Sequence, residues 1–346
     1  MRHGGPPLPA AARHNYTTRM TPIRALRAAT LLLGCVPLAG CAFVVADLNP
    51  FGGRPEQLQE HVVEGEGKAK ILLIDISRTI GDEEREPALG LRRRESTVAR
   101  VKEELRKAEA DDRIKAIVLR INSPGGTVTA SDILYHELRA FSARRNVPLV
   151  AQCLDVATSG AYYAALAADE IVAQPTTVTG SIGVILFGLN VEGLLDKLGV
   201  RNQTLKAGAR KDIGSPLRPM TPEDERILQA ILDDMRGRFV QLVHERRPGA
   251  RPEVFSTVTD GRVITAGQAL DAGLIDRIGY LDDTLAVARQ RAGVSTARVV
   301  VYRRPSEFAQ SVYSIGGGAP AQVNLMNVDL GGLVPRGPAF MYLWAP

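Results

Sequence analysis

Histidine is nearly missing from this chain. Of the five in 346 residues, His3 and His14 precede an apolar N-terminal segment and His61 falls in a mixed polar stretch. Only His136 and His244 lie in regions of helical spacing, and both sit inside those regions rather than at loop junctions. A Ser-His-Asp triad is therefore poorly supplied. Cysteine is equally scarce. Cys35 and Cys41 belong to the N-terminal apolar segment, which leaves Cys153 alone in the fold and excludes a disulfide framework. Cys153 sits in an apolar run and reads as a buried structural thiol. There is no HExxH and no cysteine pair with metal-ligand spacing. No GxGxxG follows a strand and no P-loop is present, which removes the usual nucleotide cradles. The first 27 residues lack Asp and Glu but hold Arg2, Arg13, Arg19, Arg24 and Arg27. Without those five arginines, basic and acidic residues are equal in number, so the formal charge of +5 marks no basic patch on the folded part. Nucleic acid is excluded as a partner on that ground.

What is present begins with an address. A basic stretch precedes the apolar segment Ala28 to Cys41, the pattern of a secretory signal, and Met20 offers an alternative start. Leu38-Ala39-Gly40-Cys41 resembles a bacterial lipobox, whose cysteine is lipidated and becomes the new N-terminus. Ala42, in place of Asp, does not favour retention at the inner membrane. The competing reading is an uncleaved anchor or a plain signal peptide: Ala28 to Ala46 carries no charge and is just long enough to span a bilayer, though Pro37 and two glycines weaken it as a helix. Each reading puts the folded part outside the cytoplasm, in the cell envelope, and the first two attach it to a membrane.

Four regions follow from composition: 1–41 as signal or anchor, 42–69 as tether, 70–300 as the folded domain, and 301–346 as a Gly- and Pro-rich tail ending in the apolar Phe340 to Trp344. That apolar end reads as a sticky segment suited to docking on a partner subunit. Within the domain, Lys70 to Ile76, Ile114 to Ile121 and Pro148 to Leu154 are near-continuous apolar runs, as expected of strands buried on both faces. Glu170 to Gln174 and Gln203 to Leu205 read as short strands. Helical spacing covers 98–110, 129–143, 194–198, 265–272 and 281–292, and a long helix runs from Pro222 to about Arg246 with Thr221 as its cap. Gly81 to Thr97 reads as a charged surface loop. Strands alternating with helices predict an α/β domain with a mostly parallel sheet.

Asp155 to Leu166 stands out because Ser159 falls where a strand hands over to a helix. That position suits a nucleophile, having free backbone N–H groups beside it, and equally suits an ordinary N-cap. With histidine scarce, a lysine is the remaining activator, provided that its amine is neutral and kept from acids. Acyl transfer also needs oxyanion donors, which Gly125-Gly126 on the loop after a buried strand could supply, although Pro124 and two glycines also make a tight turn.

Arg120-Ile-Asn-Ser-Pro-Gly-Gly126, Thr158-Ser159-Gly160-Ala161-Tyr162-Tyr163, Thr179-Gly-Ser181-Ile-Gly-Val184, Lys206-Ala-Gly-Ala-Arg-Lys211-Asp212 and Asp260-Gly-Arg-Val263 stand here in the order and spacing of one family. Gly267-Gln268-Ala269 and Gly273-Leu274-Ile275-Asp276 extend the match. Over roughly residues 70 to 300 the chain resembles the signal peptide peptidases of the SppA type. The resemblance implies a ClpP/crotonase-like fold and a serine–lysine endopeptidase that uses no metal or cofactor. It implies Ser159 as nucleophile, Lys211 as general base, the N–H groups of Gly126 and of Ser159 as oxyanion donors, and Ser181 as the hydroxyl that orients the lysine. It further implies a homo-oligomeric ring in which Ser159 of one subunit meets Lys211 of the next, acting on signal peptides or other unfolded apolar segments at the membrane. Two other classes remain: an idle peptide-binding scaffold of the same fold, and a crotonase-type acyl-CoA enzyme, which an export signal disfavours.

Overall fold

Lys70–Ser77 alternates between two hydrophobic interiors, and the architecture follows from that. In the computed structural model, Ile71 and Leu73 point into one apolar cluster and Leu72, Ile74 and Ile76 into another. All five are fully buried. A strand whose successive side chains leave opposite faces can be apolar throughout only if both faces are covered. The structure describes residues 57–81, 96–305, 307, 311–313 and 339–344. The Ala28–Ala46 segment and Cys41 lie outside them, as does most of the expected loop at 81–97. No helix among the described residues is long and apolar enough to cross a membrane.

The strands are β1 (Gln59–Glu64), β2 (Lys70–Ser77), β3 (Ile114–Ser123), β4 (Gly125–Thr127), β5 (Leu149–Thr158), β6 (Glu170–Ala173), β7 (Val178–Gly180), β8 (Ile185–Leu186), β9 (Val263–Thr265), β10 (Arg277–Ile278), β11 (Arg298–Arg303) and β12 (Phe340–Leu343). The main sheet runs β1-β11-β2-β3-β5-β6-β10. Its pairs are parallel except for the antiparallel β1–β11 edge. Beyond the end of β6, β7 joins β5 in parallel and β9 pairs with β7. A second, three-stranded sheet has the order β4-β12-β8. This is the mixed α/β, parallel-dominated architecture expected.

The helices are α1 (Thr97–Glu109), α2 (Val128–Arg145), α3 (Gly160–Ala165), α4 (Glu192–Lys197), α5 (Pro222–Arg246), α6 (Pro252–Val258), α7 (Ala266–Asp271) and α8 (Leu281–Arg291). Residues of α1, α2 and α3 fill one cluster and those of α8 fill the other. Each aliphatic side chain so buried contributes about 1.5–3 kcal/mol. Thr221 caps α5 through a reciprocal bond with Asp224, with Pro222 in its first turn.

Three local expectations differ from the structure. Gln59–Glu64, inside the stretch read as tether, is an edge strand on β11. Val62 faces outward and His61 inward, so its alternation is faint. Gln203 to Leu205 forms no strand, and Leu205 is 97% exposed, because nothing among the described residues covers so short a segment. Phe340–Leu343, read as an end for a partner subunit, pairs instead with β4 and β8 of its own chain.

One buried charge cluster ties the sheet together. Asp75 on β2 is opposite Arg120 on β3, which donates to it through Nε at 2.7 Å and Nη2 at 2.9 Å. Arg303 on β11 donates to the same carboxylate from the other side. All three side chains are at most 1% exposed. Burial lowers the pKa of the Arg120 guanidinium, opposed by Asp75. Replacing one partner in such a cluster strands charge in a dry interior. Asp75→Ala is therefore expected to cost about 3–5 kcal/mol in urea unfolding, and a loss below about 1 kcal/mol would show that the cluster is not strongly coupled to stability.

Candidate active site

The glycine loop is shaped by what lies on either side of it. Ile80 N–H donates to Gly125 O at 2.8 Å, and Thr127 N–H donates to Ile80 O at 3.0 Å. Because strand groups alternate in direction, the N–H and C=O of Gly126 face the other way, toward the edge that β12 occupies. A β-carbon on Gly126 would stand 1.8 Å from Ile80 O, so no side chain fits. Gly125 has φ +101°, which favours glycine.

Ser159 lies at the carboxyl end of β5, where the chain passes to α3 within one residue. Its backbone adopts φ 54° and ψ −119°, outside the extended region of an ordinary N-cap, and its hydroxyl makes no capping bond. Its N–H donates to Gly180 O at 2.8 Å and its C=O accepts from Tyr163 N–H at 2.9 Å. The residue is 1% exposed, and Oγ is buried without a hydrogen-bond partner. Buried hydroxyls are normally satisfied, and here both Ser159 and the preceding Thr158 are exceptions among the described residues.

The bond to Gly180 corrects one expectation. Ser159 N–H is committed within the chain and cannot also hold an oxyanion. Gly160, the first residue of α3, is packed close to Gly126: a β-carbon on it would lie 3.2 Å from Gly126 N and 3.0 Å from Tyr342 O. The first N–H groups of a helix have no partner within it, which was the sequence signal for Gly160.

Ser181 is brought beside Ser159. β7 pairs with β5 so that Thr158 is opposite Gly180, and the two serines follow at the same level. Ser181 is also at positive φ, 52°, with its N–H on Arg262 O at 2.7 Å.

Lys211 stands apart. It lies in the exposed turn 207–214, its N–H bonds Gly208 O at 3.2 Å, and its ammonium has no hydrogen bond or ion pair with a described residue. Its neighbour Asp212 points elsewhere, accepting from Lys206 Nζ at 2.7 Å and from Arg218 Nε and Nη2, both at 2.9 Å. Those bonds, Arg218 first, hold the Asp212 carboxyl well below the usual carboxylate range. Arg218 also reaches Asp224 at 2.7 Å. That carboxyl sits at about 2, lowered first by the Thr221 N–H and then by Arg218.

The chain therefore assembles Ser159, Gly126, Gly160 and Ser181 at one place and leaves Lys211 exposed, unencumbered by its own acid. Cys153 is fully buried, and burial pushes its thiol up to about 12, as fits a structural residue. His136 and His244 lie on α2 and α5, and neither bonds the serine.

Residues 142–295 match the family model described as peptidase family S49, and residues 76–177 match that of Clp protease. A putative signal peptide peptidase SppA of Enterococcus faecium is 32% identical over 262 residues, covering 75% of each chain. A putative protease of Synechocystis sp. is 40% identical over 193 residues, 56% of this chain and 69% of that one. Protease 4 of Salmonella typhi is 36% identical over 189 residues, 55% of this chain and 30% of that longer protein.

The serine's backbone conformation is itself testable. A non-glycine residue in such a region costs on the order of 1–3 kcal/mol. Ser159→Gly and Ser159→Ala both remove the orphan hydroxyl, but only glycine relieves the backbone. Thermal unfolding should place Ser159→Gly about 1 kcal/mol or more above Ser159→Ala. The reverse order would show that the turn stores no strain.

Proposed function

The chain belongs to the S49 peptidases, serine proteases of the signal peptide peptidase type, and from that premise we propose an exported, membrane-tethered endopeptidase with a Ser159–Lys211 dyad. Its substrates in this reading are signal peptides already released, or other unfolded apolar segments. The observation that carries the reading is the buried, unpartnered hydroxyl of Ser159 beside the Gly126 N–H and Gly160.

Ser159 Oγ attacks the scissile carbonyl, Lys211 takes the hydroxyl proton, and the N–H groups of Gly126 and Gly160 hold the oxyanion. Lys211 then returns the proton to the leaving amine. A water, deprotonated by the same amine, hydrolyses the acyl-enzyme. Ser181, level with Ser159, orients the lysine.

The lysine comes from a neighbouring subunit. Two features support this: Lys211 is exposed with no hydrogen bond or ion pair to a described residue, and Leu189, Leu194, Leu198, Val200 and Leu205, all substantially exposed, crowd the same region of the sequence. Apolar side chains gathered on a surface mark a contact. Covering that region with a second copy would dry the lysine and bring it to a hydroxyl that lacks a base.

Two measurements test the proposal. Ser159→Ala and Lys211→Ala proteins should each be inactive on an unstructured peptide, while a mixture regains activity at roughly a quarter of its junctions by random assembly. Mixed oligomers without activity would overturn the shared site, and a Lys211→Ala enzyme near full activity would overturn the dyad. Mass spectrometry of the mature N-terminus should find an acylated Cys41 or a retained apolar segment; a free, cleaved N-terminus without lipid would remove the tether.

A further inference from the structure

Ser131, on the first turn of α2, touches both halves of the site. It is fully buried, and its Oγ donates to Thr127 O at 2.9 Å. That bond alone is ordinary, because a serine early in a helix readily closes back on the carbonyl four residues before it. Its other neighbour is not ordinary. A β-carbon on Gly160 would stand 2.2 Å from Ser131 Oγ, so the hydroxyl is pressed against the bare face of that glycine.

The two contacts lead to the two glycines of the site. Thr127 directly follows Gly126 and ends β4. Its N–H donates to Ile80 O at 3.0 Å, and its hydroxyl accepts from Ala130 N–H at 3.2 Å to cap α2. With Ser131 on its carbonyl, Thr127 is held at every polar group it has. Gly160 opens α3, next to Ser159. A β-carbon on Gly125 would lie 2.8 Å from Gly160 N, and one on Gly160 would lie 3.2 Å from Gly126 N. The glycine loop and the start of α3 are therefore in contact. Ser131 is bonded to the end of the first and wedged against the second.

The packing around Ser131 keeps Gly160 from withdrawing. Tyr163, three residues further along α3, donates its hydroxyl to Asp132 Oδ1 at 2.7 Å. Arg238 of α5 donates to the same oxygen at 2.8 Å. Tyr135, one turn beyond Ser131, meets the Tyr163 ring edge-on at 5.8 Å. α3 is thus clamped to α2 immediately beside Ser131, and the size of the Ser131 side chain sets how closely the two helices meet there. A close-packed interior registers the loss of even one such atom.

We propose that Ser131 is a positioning residue for the oxyanion donors: through Thr127 and Gly160 it sets the spacing between the Gly126 N–H and the first turn of α3. The inference rests on the serine peptidase reading of Ser159 and those donors. Charge that develops only in the transition state makes its demand on donor spacing there, and not when the peptide first binds. Removing Oγ should therefore slow acylation and leave the apparent affinity for peptide alone.

Ser131→Ala tests this in the full chain, since alanine keeps the helix. The measurements are kcat and KM on an unstructured peptide, the rate at which a fluorophosphonate labels Ser159, and thermal unfolding, with rates taken per folded molecule. Both kcat and the labelling rate should fall about tenfold to a hundredfold, the penalty of displaced catalytic groups. KM should stay within about twofold, as it does when an interaction made only in the transition state is lost. Wild-type kcat and labelling in the Ser131→Ala protein, where hydrolysis still depends on Ser159, overturns this inference and spares the peptidase reading. A loss carried by KM, or one that follows only the loss of folded protein, also overturns it, because Ser131 then serves binding or the core. A wild type that neither cuts peptide nor takes the label overturns both readings.

Discussion

The hydrogen bond from Ser159 N–H to Gly180 O is the constraint on which the site depends. A parallel strand must become a helix in a single residue, and this bond sets how the chain makes the turn. It extends the β5–β7 pairing one step past Thr158 and holds the serine at positive φ. It commits the serine's own N–H within the chain, while the next residue, Gly160, packs close to Gly126. The strain involved, on the order of 1–3 kcal/mol, is offset by the packing of α3. Every residue of that helix from Gly160 to Ala165 is buried. Tyr162 and Tyr163 anchor it with hydroxyl bonds of 2.7 Å to Leu274 O and Asp132 Oδ1. The strained turn survives because both of its flanks are over-determined.

The charges around Lys211 are arranged by the same logic of commitment. A lysine next to an aspartate would ordinarily pair with it and make a poor base. Here Asp212 is taken by Arg218 and Lys206, and Arg218 is tied to Asp224 at the start of α5. The long helix thus acts at a distance: its capping box fixes Asp224, Asp224 holds Arg218, and Arg218 turns Asp212 away. A lysine becomes a base when it is both dry and free of acids. The chain meets the second condition by itself, and the first depends on what covers the exposed 189–211 region.

Much of this was legible from residue types. Runs such as Ile71 to Ile76, apolar but for Asp75, announce a strand buried on both faces because successive side chains of a strand leave opposite faces. Thr221 with Pro222 marks a helix start for reasons confined to four residues. Ser159 and Gly126 could be picked out because each follows a buried apolar run, whereas Ser181 was marked only by the family resemblance. What stayed hidden was non-local or conformational. That Ser159 does not cap depends on its φ, and a serine before a helix reads as a cap. That its N–H is spent depends on β7, about 20 residues away. Gln59–Glu64 looks like tether because an edge strand needs few apolar residues. The destination of Phe340–Leu343 depends on a gap between β4 and β8, a feature that exists only once the sheet is folded.

That gap bears on what kind of molecule the enzyme accepts. Both of its walls are strand edges, which offer backbone hydrogen bonds and so select for extended backbone. A folded protein has few unpaired strands to offer and an apolar segment released from a membrane has nothing else. Selection by conformation is therefore built into β4 and β8. Tyr163 and Phe239 leave room for one ring, that of Tyr342, with Met235 O beyond it. The ring that fills this pocket belongs to β12 of the same chain, which is paired along both of its edges.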